Sequence, residues 1–236
     1  MVTTLKRKEL WMPDKNFRKL ICENILQEDR KHRNFYIGKN DVEKIENASY
    51  LDFTGIYLEN LFLNVTSGVP EKNLNINIHG IENFKNLKKL DVSLFALEKT
   101  NFKLLQQLQR LEFLNVTETG IKALDASHWY HLKKLFCASN QLEYINIKKN
   151  PNLEILVCND NSLKHLDVGS NKNLRQLVCY KNHIKMIDVS KNHRLIDFKF
   201  DSKVQVRKFK PIQKHMIAKN LNRVKNSGKH FTLGGK

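Results

Sequence analysis

The sequence predicts an α/β solenoid, a fold in which short repeated units stack side by side and share one core. Three observations lead to this prediction: apolar residues recur every 21 residues, asparagines recur at the same interval in two further columns, and amphipathic segments stand near the two ends. A single unit has too few apolar residues to bury a face, so the units must stack to form a continuous core.

The repeat aligns without a gap from Leu111 onward when the chain is written in lines of 21 residues. Three apolar columns hold, in order, Leu111, Leu132, Leu153, Leu174 and Leu195; Leu114, Leu135, Leu156, Leu177 and Phe198; and Val116, Cys137, Cys158, Cys179 and Phe200. Two polar columns hold Asn140, Asn161 and Asn182, and Asn150, Asn171 and Asn192. The first asparagine column is predicted to hydrogen-bond backbone groups of adjacent turns.

The resulting pattern, LxxLxCxxNxLxxLDVSxNxx, resembles the 21-residue leucine-rich repeat of bacterial proteins, especially those of Bacteroidetes. An irregular unit at residues 87–92 and strand-like segments at 50–53, 56–65 and 74–78 indicate earlier, degenerate repeats. Residues 12–20 also resemble the opening of the N-terminal helical cap in such proteins. The resemblance implies a right-handed solenoid with a curved parallel β-sheet.

Four segments are predicted along the chain. Residues 1–49 are an N-terminal helical cap, 50–110 are degenerate leucine-rich repeats, 111–203 are regular repeats, and 204–236 are a basic C-terminal cap helix and tail. In the first segment, one helical face would carry Phe17, Leu20, Ile21, Cys22 and Ile25. In the last segment, the apolar stripe after Pro211 would consist of Ile212, Met216, Ile217, Leu221 and Val224.

Positive charge is concentrated at the end of the chain. The 236 residues have a net charge of +17, and no Asp or Glu occurs from Lys203 to Lys236. Such a segment suits phosphates, an anionic membrane surface or an acidic protein, and a merely solvated cap helix is an equally weighted alternative. The candidate anion- or nucleic-acid-binding residues are Lys203, Arg207, Lys208, Lys210, Lys214, Lys219, Arg223 and Lys225.

Composition also bears on the compartment. No apolar run is long enough to span a membrane, and no apolar stretch of a secretory signal follows the first ten residues. The four cysteines show neither a zinc pattern nor a disulfide framework. A cytoplasmic protein is therefore expected, or a secreted one if a leader has been removed.

Catalytic and metal sites are not expected, and neither is a cofactor. The cysteine column runs along the solenoid axis, so its thiols do not converge on one point, and core packing is predicted instead. A second column, Asp125, Asn146, Asp167 and Asp188, could hold calcium, but Lys122, Lys164 and Lys185 stand three residues earlier and are expected to neutralise it. His128 and His131 flank Trp129 and Tyr130 without an acidic partner or a second cluster. The chain is therefore predicted not to be an enzyme.

The concave face of the sheet is the predicted binding surface. Its middle column is apolar over three consecutive units, which indicates a contact site for another protein. The candidate residues are Phe113, Phe136, Ile155, Val157, Val178 and Tyr180. The predicted function is a non-enzymatic protein-interaction scaffold. The alternative is a structural component of a nucleic-acid-containing or other large anionic assembly, anchored through the basic C-terminal segment.

Overall fold

A computed structural model describes Met12, Asp14 and residues 17–18, 21–22, 39–52, 77–97 and 99–208. Within these residues lie helices α1 (Lys39–Asn47) and α2 (Lys99–Leu105) and a 3-10 helix (Ile81–Asn83). The strands are three residues long: β1 (Tyr50–Asp52), β2 (Lys89–Asp91), β3 (Phe113–Asn115), β4 (Ala123–Asp125), β5 (Lys134–Phe136), β6 (Tyr144–Asn146), β7 (Ile155–Val157), β8 (Gln176–Val178), β9 (Met186–Asp188), β10 (Asp197–Lys199) and β11 (Gln205–Arg207).

One parallel sheet runs the length of the described structure in the order β1-β2-β3-β5-β7-β8-β10. Lys134 pairs with Ile155, Ile155 with Gln176, and Gln176 with Asp197, so each step along the sheet advances the chain by 21 residues. Parallel neighbours of this kind require the chain to travel around the far side of a coil before the next strand begins. The molecule is therefore a parallel β-solenoid with few helices.

The far side of the coils carries short strands of its own. There β4 pairs with β6 and β9 pairs with β11, again in parallel. Because β11 pairs with β9 and because Val204 and Val206 pack against the core, the last coil extends to Arg207. It thus passes the boundary predicted at residue 203, since alternating apolar residues continue the strand pattern there. The C-terminal helix predicted beyond it lies outside the described residues.

The core lies between the two sides of each coil. In the long sheet the middle residue of each strand points inward, and Leu90, Leu114, Leu135, Leu156 and Leu177 are fully buried. Each such leucine contributes about 1.5–3 kcal/mol by leaving water. Phe198 and Phe200 continue these columns in the last coil but are only half-buried, with their ring centroids 4.4 Å apart. One apolar cluster joins the coils from end to end.

The coil that contains α2 differs from the regular ones. Lys89 and Phe113 are paired although they stand 24 residues apart, and the additional length accommodates the helix. Trp129, in the next coil, donates from its indole Nε1 to the Leu105 carbonyl at the end of α2 (3.0 Å), and Phe102 lies edge-on to it at 6.1 Å. The sequence pattern did not predict α2, because seven residues are too few to establish a helical period.

Asparagine side chains join successive coils. The Asn161 amide donates to the carbonyls of Cys137 in the preceding coil (3.0 Å) and Cys158 in its own (3.1 Å), and its Oδ1 accepts from the Leu142 amide (2.9 Å). Asn140 and Asn182 make equivalent bonds. This confirms the predicted role of the first asparagine column.

The backbone next to these asparagines turns through the left-handed region in every coil. Glu118, Ser139, Asp160 and Lys181 have φ between 52° and 56° although none is glycine. Each such residue costs roughly 1–2 kcal/mol. The asparagine hydrogen bonds to the carbonyls of the same turn offset that cost, since those carbonyls would otherwise lie without partners inside the solenoid.

Part of the N-terminal segment packs on this core. Phe17, Ile21 and Cys22 are fully buried. The Asp14 carboxylate accepts hydrogen bonds from the amides of Phe17 (2.9 Å) and Asn77 (3.1 Å), which ties the segment to a distant part of the chain. Leu20 and Ile25 lie outside the described residues, so the cap as a whole stays a prediction.

Replacing Asn161 by alanine should lower the free energy of unfolding by about 3 kcal/mol, because several buried backbone groups lose their partner. The control is Asn152→Ala, at an exposed position of a turn, which should change it by about 0.5 kcal/mol or less. Urea unfolding followed by circular dichroism measures both. Equal values for the two variants would contradict this role of the asparagine.

Candidate functional site

The six residues predicted for partner binding lie on one surface. We define the outer sheet face as the side of the long sheet that points away from the core, formed by the first and third residues of each strand and the residue two positions further on. It includes Phe113 and Phe136 in β3 and β5, Ile155 and Val157 in β7, Val178 in β8, and Tyr180 just after β8. Strand register places them side by side.

These side chains are less exposed than the sequence predicts. Val178 is only 6% exposed, and the other five are of intermediate burial. The reason is that neighbouring strands about 4.8 Å apart bring side chains of one column into mutual contact. Phe113 and Phe136, for example, have ring centroids 5.4 Å apart. The candidate surface is therefore a close-packed apolar stripe, and Val178 supports it more than it presents atoms to a partner.

Hydrogen-bonded polar groups border the stripe on both sides. Toward the N-terminal coils, Asp91 accepts from the Ser93 hydroxyl (2.7 Å) and from the Asn115 amide (2.7 Å). Toward the C-terminal coils, Gln176 donates to Asp197 (2.9 Å), which also lies 3.7 Å from the Lys199 ammonium. An apolar centre within a polar rim is the usual anatomy of a protein interface.

A row of alternating charges lies next to the outer sheet face, one residue before each strand. Glu112 binds the Lys133 ammonium at 2.7 Å and lies 3.9 Å from that of Lys88. The hydrogen bond from Lys133 holds the pKa of Glu112 below its ordinary value. Sequence reasoning missed this row because it followed apolar columns, yet Lys88, Glu112, Lys133, Glu154 and Arg175 recur at the repeat interval.

The most exposed large apolar side chains lie elsewhere. Tyr144 (58% exposed) and Met186 (62%) begin strands on the far side of the coils. Ile196 (62%) directly precedes β10, and Tyr130 (51%) lies in a turn. Sequence reasoning missed them as well. Their signal was an apolar residue at the first position of a strand, two units apart for Tyr144 and Met186.

The three cysteines of the ladder are buried in the core, as predicted. Cys137 and Cys158 are completely inaccessible, and Cys179 is 3% exposed. Burial raises the pKa of all three thiols, that of Cys179 to about 12. Because the thiolate is the reactive form, these residues behave as small apolar side chains.

The carboxylate column caps turns. Asp125 accepts from the Ser127 amide (3.0 Å), Asp167 from the Gly169 amide (3.0 Å), and Asp188 from the Ser190 amide (2.8 Å). The Ser190 hydrogen bonds keep the pKa of Asp188 below its ordinary value.

The cations beside this column are not the predicted ones. Lys148 lies 3.6 Å from Asp167 and Arg207 lies 3.7 Å from Asp188, both reaching from a neighbouring coil. The lysines at 122, 164 and 185 stand three positions earlier, and an odd offset on an extended chain directs a side chain to the opposite face. Within the part of the chain that the structure describes, no group of three or more His, Cys, Asp or Glu side chains is arranged to hold a metal ion.

The basic C-terminal candidates are only partly described. Lys203, Arg207 and Lys208 are exposed on the last coil. The others, Lys210, Lys214, Lys219, Arg223 and Lys225, lie outside the described residues. No helix among those described is long and apolar enough to cross a membrane.

With this geometry in place, the chain can be assigned to a class: it is a solenoid of the leucine-rich-repeat type. No known family profile matches it, and no functionally characterised protein matches it either. Among solved structures, a leucine-rich-repeat protein of Leptospira interrogans is similar, with 20% identity, a TM-score of 0.47, and coverage of 68% of this chain and 44% of that one.

Two internalins of Listeria monocytogenes are also similar. Internalin C2 has 16% identity, a TM-score of 0.49, and coverage of 82% of this chain and 91% of its own. Internalin F has 15% identity, a TM-score of 0.36, and coverage of 55% and 50%. At identities this low, the similarity is one of fold and does not extend to a shared partner.

Native Cys137, Cys158 and Cys179 should resist alkylation by iodoacetamide at about pH 8, because burial both excludes the reagent and keeps the thiols protonated. In denaturant all three should react. Mass spectrometry of the digested protein measures each site. Equal labelling of Cys158 in the native and the denatured protein would contradict its place in the core.

Proposed function

We propose that this protein is a non-enzymatic interaction scaffold that binds another protein through its outer sheet face. The observation that carries the proposal is the apolar stripe of Phe113, Phe136, Ile155 and Val157, which is set within hydrogen-bonded polar residues on one regular sheet. The stripe crosses three strands about 4.8 Å apart. A surface of this kind fits a second macromolecular surface better than it encloses a small molecule, because ligands of that size bind in concave clefts.

Phe136 and Val157 form the centre of the proposed interface. They are paired directly across β5 and β7, and the Phe113 ring packs against that of Phe136. Since their neighbours restrict these side chains before binding, a partner meets a surface that loses little conformational freedom. Central, well-packed aromatic residues commonly dominate binding energy.

The row of alternating charges contributes differently. Its members are substantially exposed, as for Lys88 at 56% and Lys133 at 51% of their side chains, so they add little to stability. Beside an apolar centre, such a row sets the orientation of a partner and accelerates association at low salt.

The alternative function, a component of a large anionic assembly anchored through the basic C-terminal segment, is supported by composition. Residues 203–236 contain no acid, and the described members Lys203, Arg207 and Lys208 are exposed. A protein bound through this segment would dissociate steeply as salt rises, whereas one bound through the apolar stripe would not.

To test the leading function, the tagged protein is purified from its native source, and the proteins that co-purify are quantified by mass spectrometry. Val157→Lys and Phe136→Glu should each lower recovery of a shared set of partners by about tenfold or more, because a charge would be desolvated at the centre of the interface. The fold should persist, since both side chains are partly exposed.

Tyr144→Glu is the matched control, because it places a charge at a strand position on the far side of the coils. It should leave the partner set unchanged. Circular dichroism should show the same unfolding midpoint, within a few degrees, for all variants. If folded Val157→Lys recovers the same partners as Tyr144→Glu, the proposal is wrong.

A further inference from the structure

The turns that lead into the long sheet form an edge without acidic residues. We define the basic edge as residues 126–132, 147–153, 168–174 and 189–195, which connect the far side of each coil to the next strand of the sheet. No Asp or Glu occurs in these four turns, and their lysines and arginine are Lys148, Lys149, Lys172, Lys191 and Arg194. All five side chains are exposed.

The second asparagine column holds these turns in register. Asn150 donates to the Trp129 carbonyl (2.6 Å), Asn171 to the Asn150 carbonyl (2.9 Å), and Asn192 to the Asn171 carbonyl (2.8 Å). All three side chains are buried. The cations therefore stand on a stiff backbone, one turn every 4.8 Å or so along the solenoid.

Most cations of the basic edge have no carboxylate partner. Lys148 pairs with Asp167 at the border, but none of Lys149, Lys172, Lys191 and Arg194 forms a salt bridge among the residues that the structure describes. The turns at the opposite edge differ, because they contain acids such as Asp160, which binds Lys181 at 3.0 Å. An unneutralised row of like charges raises the local positive potential, so it favours an anionic partner.

The remaining side chains of the basic edge indicate which anion fits. Exposed or half-buried serines and asparagines, including Ser170, Asn152 and Asn173, stand between the cations. Hydroxyl and amide groups are common donors to phosphate oxygens. Tyr130, 51% exposed, is the single large hydrophobic side chain that these turns expose, and the Lys149 ammonium lies 5.9 Å from its ring centroid. Membrane surfaces usually require larger apolar groups to insert, whereas nucleic-acid binding does not.

We propose that the basic edge binds the phosphate backbone of a nucleic acid, independently of base sequence. The row extends N-terminally through exposed Lys103 and Arg110, which also lie in an acid-free segment. At the other end, Arg207 pairs with Asp188, so Lys208 occupies the position that Val189 holds one coil earlier, where the basic edge begins. The exposed cation Lys208 thus continues the row. This site is separate from the outer sheet face and does not depend on a protein partner there.

The test uses the full chain and a fluorescein-labelled, mixed-sequence single-stranded DNA of roughly 20 nucleotides. Fluorescence anisotropy is measured over a series of salt concentrations. Lys149→Glu combined with Lys191→Glu should weaken binding about tenfold or more at moderate salt, and should make the slope of log affinity against log salt shallower by about two.

The matched control combines Lys122→Glu and Lys164→Glu, which changes net charge equally. These exposed lysines also lie two coils apart in one column, but at the opposite edge. The control should lose less than about threefold, as expected for a general charge effect.

Equal losses in the two double variants would overturn the proposal, because binding would then follow net charge or the C-terminal segment. The same is true of an unmodified protein that does not bind the oligonucleotide. Vesicles containing phosphatidylserine are the final arm: if Lys149→Glu with Lys191→Glu abolishes vesicle binding while DNA binding is unchanged, the basic edge is a membrane site and the proposal fails.

Discussion

The side-chain amide of one asparagine in each regular coil is the interaction on which the rest of the structure depends. Asn161 bridges two coils, with its amide on the carbonyls of Cys137 and Cys158 and its oxygen on the Leu142 amide. Since a slip of one residue would break these bonds, the amide selects a single register for adjacent coils. Register in turn decides which side chains enter the core, because neighbouring residues of a strand point to opposite faces.

The same constraint explains how the ends of the ladder differ. Thr119 occupies the asparagine position in an earlier coil, and its hydroxyl donates to the Val116 carbonyl (2.8 Å). In the last coil, where Lys203 stands in the column, the Asp201 carboxylate accepts from the Lys181 amide instead (2.8 Å). Other side chains thus satisfy the turn where the repeat is irregular, and the solenoid continues through both places.

Sequence alone predicted the strands, the inward leucines and the coil-joining asparagines, since each depends on a period that is visible within one unit. Other features depend on neighbouring coils. Val178 is buried by side chains of adjacent strands, and the ion pair of Asp188 comes from Arg207 in the next coil. α2 escaped prediction because its unit is longer than the others. The distribution of cations along one edge emerged only when the turns were stacked.

Two surfaces of one rigid scaffold therefore depend on the register. The outer sheet face offers packed apolar atoms, and the basic edge offers charge beside it on separate residues. The proposed function depends most on the outer sheet face, and site-specific photocross-linking tests that surface directly. A photoreactive phenylalanine derivative at position 157 should cross-link to the partner upon irradiation, and the same group at position 144 should not. Cross-linking at position 144 with none at 157 would contradict binding through the outer sheet face.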